Sequence, residues 1–189
     1  MIVARKSDPN LDREQLIAAA FGQLEEEGLE GLSMRRLAGR LGVQAPALYW
    51  YVADKAELLG LMAREIYAAA YAGVPPVADW RTWLEAFGRA LRAAFRARRD
   101  GARLCAIAKP SSARDISDHA RRIAAPLVAL GLDQTHALSF QASVISFVLG
   151  WATFEANGPM HDYLGEMLDF EASFDAGLAA LVRGFSFPD

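Results

Sequence analysis

The stretch Ser33-Met34-Arg35-Arg36-Leu37-Ala38-Gly39-Arg40-Leu41-Gly42-Val43-Gln44-Ala45-Pro46-Ala47-Leu48-Tyr49-Trp50-Tyr51 reads as two short helices and the turn between them. Ser33 is placed to cap a helix carrying Leu37, Ala38 and Leu41, and Gly42 ends it by accepting the left-handed conformation. A second helix starts near Ala45-Pro46, where a first-turn proline lacks only an N–H that would have no partner anyway, and holds Leu48, Tyr49, Trp50 and Tyr51. Each helical step turns by ~100°, so three consecutive aromatics cannot all face one core and at least one is exposed. Leu48 and Trp50 are the two that could equally well close the core. A helix stopped by glycine, a short turn and a second short helix bearing exposed aromatics make a helix-turn-helix, whose second helix enters the major groove of DNA. The expected DNA contacts are Ser33, Met34, Arg35, Gln44, Ala45, Pro46, Ala47, Tyr49, Trp50, Tyr51 and Lys55. Arg35 suits bidentate pairing with guanine, Tyr49 and Tyr51 suit phosphate and methyl contact, and Lys55 suits phosphate at a helix N-terminus.

Upstream, a helix starts at Asp12, runs through Leu16, Ala19, Ala20 and Leu24, and is expected to stop at Gly28. Downstream, Asp54-Lys55-Ala56-Glu57 has capping-box spacing and opens a helix toward Tyr71. Residues 1–53 then form a three-helix helix-turn-helix domain, and 54–72 a connecting helix. After the break Gly73-Val74-Pro75-Pro76, Asp79 opens a helix with Trp83, Phe87, Leu91 and Phe95 on one face. A short helix lies between Asp100-Gly101 and Lys109-Pro110-Ser111-Ser112, and another runs from Asp115 to Leu130. The longest spans 133–157, Gly158-Pro159 to Gly165 reads as a loop, and the last helix spans 171–185. Alternating apolar and polar runs are missing, so the expected fold is all-α, with 73–189 a helical ligand-binding and dimerisation domain.

The single cysteine, Cys105, leaves no internal disulfide and is read as a small buried hydrophobe. Met1-Ile2-Val3-Ala4-Arg5-Lys6 leads into no apolar targeting segment, and no run of ~18 uninterrupted apolar residues follows, so the expected location is cytoplasmic with no membrane partner. A net charge of −3 argues against nucleic acid. Locally, however, Arg35, Arg36, Arg40 and Lys55 face Asp54 alone between Ser33 and Lys55, while Glu25, Glu26, Glu27 and Glu30 come just before. His119, His136 and His161 with Asp118, Asp133 and Asp162 match no metal-ligand or triad spacing, so no catalytic residue, metal or cofactor is expected.

Gly31-Leu32-Ser33-Met34-Arg35-Arg36-Leu37-Ala38, then Leu41-Gly42-Val43, then Leu48-Tyr49-Trp50-Tyr51-Val52 resemble the signature of the tetracycline-repressor (TetR) family, over residues from about 12 to 71. The resemblance implies nine or ten helices and a homodimer that leaves a double-stranded DNA operator when a small-molecule effector binds the C-terminal domain. Trp80, Arg98-Arg99-Asp100-Gly101-Ala102-Arg103 and Lys109-Pro110 are similar to the tetracycline repressors themselves. Those proteins hold a magnesium–drug complex through a histidine and oxygen groups. Here the histidine position falls on Cys105, the threonine on Ala108, drug-contacting positions on Phe87, Ile123 and Ser146, and the acidic position on Phe154, next to Glu155. Magnesium prefers hard oxygen ligands, so magnesium–tetracycline is not the expected effector. Ala45 and Ala47 replace polar groups at the turn, which points to a different operator.

What remains is an apolar pocket of Trp83, Phe87, Leu91, Leu104, Cys105, Ile123, Phe140, Ser143, Ser146 and Phe147, suited to a flat, largely hydrophobic effector, with plain core packing the alternative for each residue. Trp151 and the second face of 133–157, with Leu178, Val182 and Phe185 of 171–185, are assigned to a dimeric four-helix bundle. A dimer would present two recognition helices about one DNA turn apart to a palindrome. Repressor and activator both remain open at this point.

Overall fold

Among the described residues of the computed structural model, 11–109, 116–156 and 158–186, there are ten helices and no strand. The leader reading at Met1–Asn10, the break at Pro110-Ser111-Ser112, the helix start at Asp115 and the helix end at Asn157 lie outside those residues. The chain forms two compact units, Met1–Glu65 with Arg98–Ser111 and Ile66–Ala97 with Ser112–Asp189.

In the first unit, Asp12 caps α1 (Arg13–Gly31) reciprocally: its carboxylate accepts the Gln15 N–H at 2.7 Å while the Gln15 side chain accepts the Asp12 N–H at 3.0 Å. Leu16, Ile17, Ala20, Phe21 and Leu24 make its buried stripe. Gly28 has φ 71° and ψ 179°, a backbone state closed to side chains, yet the helix continues for another turn to Gly31. The break is held by partners that no local rule reveals. The Asp100 carboxylate accepts the Leu29 N–H at 2.8 Å, and Arg99 donates to the carbonyls of Glu25 and Glu26 at 3.1 and 2.8 Å. These residues lead into α6 (Gly101–Ile107), which therefore shares a unit with α1.

Ser33 caps α2 (Met34–Arg40), accepting the Arg36 N–H at 3.3 Å, and Gly42 has φ 68°. Helix α3 (Ala45–Leu48) is shorter than the sequence suggests. The Leu48 carbonyl accepts both the Tyr51 and Val52 N–H groups, at 2.9 and 3.1 Å, so the chain tightens into a turn and the three aromatics follow the helix instead of riding on it. At α4 (Lys55–Ala72), Asp54 accepts the Glu57 N–H at 2.8 Å, while the Glu57 carboxylate reaches the Ala53 N–H at 2.6 Å.

The second unit contains the end of α4, α5 (Trp80–Arg96), α7 (Ile116–Val128), α8 (Gln134–Glu155), α9 (Gly158–Gly165) and α10 (Phe170–Arg183). Asp79 caps α5 and Asp133 caps α8. Helix α8 lies against α5, α7, α9 and α10, and α5 also packs on α10. Residues 158–165, expected as a loop, form α9: Pro159 sits in its first turn, where proline starts a helix rather than breaking one. The last helix stops at Arg183, so Phe185 lies beyond its Gly184 cap. By length and composition alone α8 could cross a membrane, although Ser, Thr and Gln interrupt its apolar residues; here it is the helix its neighbours pack around.

Candidate functional site

The candidate DNA-binding surface is built on Leu37, Ala38 and Leu48, which are fully or nearly fully buried and fix α2 and α3 to the first unit. With Leu48 turned inward, Tyr49 and Trp50 emerge 53% and 56% exposed, so Trp50 joins the surface rather than the core. Tyr51 is half-buried, and its backbone carbonyl accepts a hydrogen bond from Arg13 at 3.0 Å. Gln44 and Pro46 are exposed; Ser33, Met34, Ala45, Ala47 and Lys55 are half-buried, with the Ser33 hydroxyl engaged as a cap.

The structure sorts the local cations. Arg40 makes a fork to Glu26, both bonds at 2.7 Å, and Arg36 pairs with Glu27. The Arg40 hydrogen bond holds the Glu26 carboxyl below its ordinary pKa. Two of the arginines counted toward phosphate are thus neutralised by the acidic run that precedes them. Glu25 and Glu30 of the same run accept hydrogen bonds from the Arg99 N–H and the Arg103 side chain. Arg35 is exposed and has no ion pair or hydrogen bond among the described residues, which leaves it available to a base edge or phosphate.

In the second unit, Trp83 and Phe87 stack with ring centroids 5.0 Å apart, and Tyr71 leans on both, at 6.0 and 4.9 Å. Leu91 is buried on the same α5 face. Phe140 belongs to a separate stack between Trp80 and Phe185, at 5.5 and 4.3 Å. Phe147 packs on Phe174, Ile123 is half-buried, the Ser143 hydroxyl donates to the Ser139 carbonyl, and Ser146 faces outward. Leu104 and Cys105 are buried in the first unit. Tyr71, which the sequence did not single out, stands beside the Trp83–Phe87 stack, and opposite its hydroxyl lies Gln141, 1% exposed. Gln141 was detectable as the polar member of the stripe Ala137, Phe140, Gln141, Val144, Val148 at helical spacing.

Burial pushes the Cys105 thiol up to about 12, leaving it protonated and inert near neutral pH. Iodoacetamide at pH 8 should therefore alkylate Cys105 at least about tenfold more slowly in folded than in denatured protein; equal rates would refute a buried, neutral thiol. His136 is tied to Asp133, and His161 stacks on Phe170 at 4.5 Å. Among the described residues no group of three or more His, Cys, Asp or Glu side chains is arranged to hold a metal ion. A depression of about 190 Å³ beside Arg89, Arg92, Arg96, Glu171 and Asp175 is lined by charges already paired with one another, which makes it a poor apolar binding site.

The assignment of Leu178, Val182 and Phe185 to a dimer face needs correction. Leu178 and Val182 are 0% exposed within one chain, and Phe185 is stacked on Phe140. They are used up in the unit's own core because α10 turns this stripe toward α5 and α8.

The model for bacterial regulatory proteins of the tetR family matches residues 16–62, and the model for the tetracyclin repressor-like C-terminal domain matches 73–166. The tetracycline repressor protein class A from transposon 1721 of Escherichia coli is 32% identical over 93% of this chain and 91% of that repressor. Among solved structures, TetR from Acinetobacter baumannii AYE has a TM-score of 0.74 at 31% identity, covering 93% of this chain and 96% of the other. TetR(class A) in complex with 5a,6-anhydrotetracycline and magnesium has a TM-score of 0.70 at 34% identity, covering 92% and 97%.

Proposed function

The chain belongs to the TetR family of ligand-responsive transcriptional repressors, and from that premise we propose that it grips a palindromic operator as a homodimer and is released by a flat, largely apolar effector other than magnesium–tetracycline. The observation that carries the DNA half is the exposed Tyr49–Trp50 pair beside an Arg35 that pairs with none of the described residues, on a helix-turn-helix. The effector half is supported by the Tyr71–Trp83–Phe87 cluster and by Cys105 and Ala108 standing where the tetracycline repressors have a histidine and a threonine.

For the homodimer, the outward face of α8 offers Ser139, Ala142, Ser146 and Gly150, flanked by half-buried Leu138, Ile145 and Leu149. Helix α10 offers Ala172, Ala176 and Ala180. Small side chains allow close helix approach, so this surface replaces Leu178, Val182 and Phe185 in the proposed four-helix bundle. The protein works in the cytoplasm, where its operator is. The chain crosses from one unit to the other within α4 and again after α5. Effector binding in the second unit is proposed to shift these connections and move the paired recognition helices off groove spacing; only a difference in effector affinity between the two states can drive this.

One experiment tests the reading: select bound DNA from a random pool, then measure affinity for the selected site against salt. A palindromic site is expected, with affinity falling steeply as salt rises. Arg35→Ala should weaken binding by about 1–3 kcal/mol and relax preference at one base pair of each half-site. Magnesium–tetracycline should leave the complex intact. Failure to enrich any site would refute operator binding, and release by micromolar magnesium–tetracycline would refute the effector assignment.

A further inference from the structure

We propose that Gln141 and Tyr71 are the specificity-determining polar residues of the effector site, and that they read a flat aromatic ligand carrying a hydrogen-bond donor and acceptor side by side, as in a lactam. The inference rests on the effector reading above and extends it from an apolar shape to a defined polar edge.

The starting observation is an anomaly of burial. Gln141 is 1% exposed, and neither its amide oxygen nor its amide nitrogen completes a hydrogen bond with a described residue. Buried amides are nearly always paired, because desolvation without a replacement bond is unfavourable. Every other buried side chain of α8 is apolar, so a leucine here would satisfy the packing of this stripe better than a glutamine does. An amide retained at such a position fits a partner that arrives from outside the chain.

The neighbours indicate what that partner is. The Tyr71 hydroxyl approaches the amide without completing a bond to it, and the Tyr71 ring packs on Phe87 and Trp83. Burial pushes the Tyr71 pKa up to about 12, with the Gln141 interaction opposing only part of that rise, so the hydroxyl stays a neutral donor near pH 7. Residues of α4, α5 and α8 therefore place an amide, a hydroxyl and two stacked aromatic rings in one neighbourhood. An amide offers its donor and acceptor in one plane, and its complement is another planar donor–acceptor pair. A lactam fused to an aromatic ring has that edge, with a flat apolar body suited to Trp83 and Phe87. Neither Gln141 nor protonated Tyr71 carries charge, so the matching edge is neutral rather than a carboxylate or an ammonium.

The test uses the full chain and three probes of nearly one shape: phenanthridin-6(5H)-one, its N-methyl derivative and phenanthrene, with binding followed by tryptophan fluorescence. The wild type should bind the lactam at least about tenfold more tightly than the N-methyl form, which lacks the donor. Gln141→Leu should erase that preference and favour phenanthrene. It should also raise Tm by about 2–4 °C, because it removes an unpaired buried amide. Tyr71→Phe should weaken the lactam by roughly tenfold and leave phenanthrene unchanged. Equal binding of the lactam and its N-methyl form by the wild type overturns the inference while the apolar effector site stands. Loss of folding or a lower Tm in Gln141→Leu overturns it too, since the amide would then be structural. Binding of none of the three probes overturns both the inference and the effector reading beneath it.

Discussion

Replacing Arg92 with alanine should destabilise the second unit by about 3–5 kcal/mol, read as a drop in the urea midpoint without a change of slope. Arg92 lies on α5, is 5% exposed, and is held from two other helices. It bonds Glu155 of α8 through both Nε, at 3.2 Å, and Nη2, and Glu171 of α10 at 2.6 and 3.1 Å, with its guanidinium 4.4 Å above the Phe174 ring. Burial works against its charge, and the Glu155 and Glu171 hydrogen bonds more than restore it. Glu171 is 66% exposed and also bonded to Arg96, so it can return to water; Glu155 is only 12% exposed and would be stranded. The penalty is thus mainly that of an uncompensated buried carboxylate. Pairing Arg92→Met with Glu155→Leu should recover most of the loss, because an apolar pair needs no solvation. Acid should narrow the gap between wild type and Arg92→Ala. Arg96 first and Arg92 second hold the Glu171 carboxyl below its ordinary pKa, so its contribution is present above the unfolded value and lost as pH falls through the folded one. A loss below 1 kcal/mol for Arg92→Ala would show the triad to be solvated and weak.

Gly28→Ala should destabilise the first unit by about 1–3 kcal/mol from backbone strain alone, since φ 71° with ψ 179° is open to glycine and closed to residues with a Cβ. Sterics add to this: the new carbon would lie 3.0 Å from the Asp100 carboxylate and 3.2 Å from the Arg99 guanidinium. Those are the groups that cap the broken end of α1, so the substitution attacks the break and its clamp together. The expected result is a lower Tm with amide exchange rising first at Leu29. Asp100→Asn is the contrasting variant. Asp100 is left-handed at φ 54°, a conformation asparagine tolerates, and an amide oxygen can still accept the Leu29 N–H, so its effect should stay below about 1 kcal/mol. An unchanged Tm for Gly28→Ala would mean that the backbone at this position relaxes freely.

The legible features of this sequence were those closed within one turn of chain. Asp12, Ser33, Asp79 and Asp133 each cap the helix that follows, by accepting an N–H two or three residues on. Gly42 supplies the left-handed stop, and Leu37 and Ala38 of one short helix and Leu48 of the next are their apolar, buried residues. Such interactions are set by residues a few positions apart, so the all-α fold, the helix-turn-helix and an exposed aromatic after Leu48 could be read directly.

What only the tertiary structure decided were choices among chemically equivalent residues. Arg35, Arg36 and Arg40 are alike as letters, yet Glu26 and Glu27 occupy two of them and leave Arg35 unpaired among the described residues. Gly28 looks like a helix stop and does break α1, but the turn beyond it to Gly31 is held because Asp100 and Arg99 arrive from far along the chain. Leu178 and Val182 suited an interface by composition, but the rotation of α10 against α5 and α8 put them in the core. Gln141 became informative only once its surroundings showed that its amide completes no hydrogen bond among the described residues, beside Tyr71. In each case the deciding partner is distant in sequence. Local capping fixes where most of these helices begin, whereas long-range packing fixes which side chain is satisfied and which is buried.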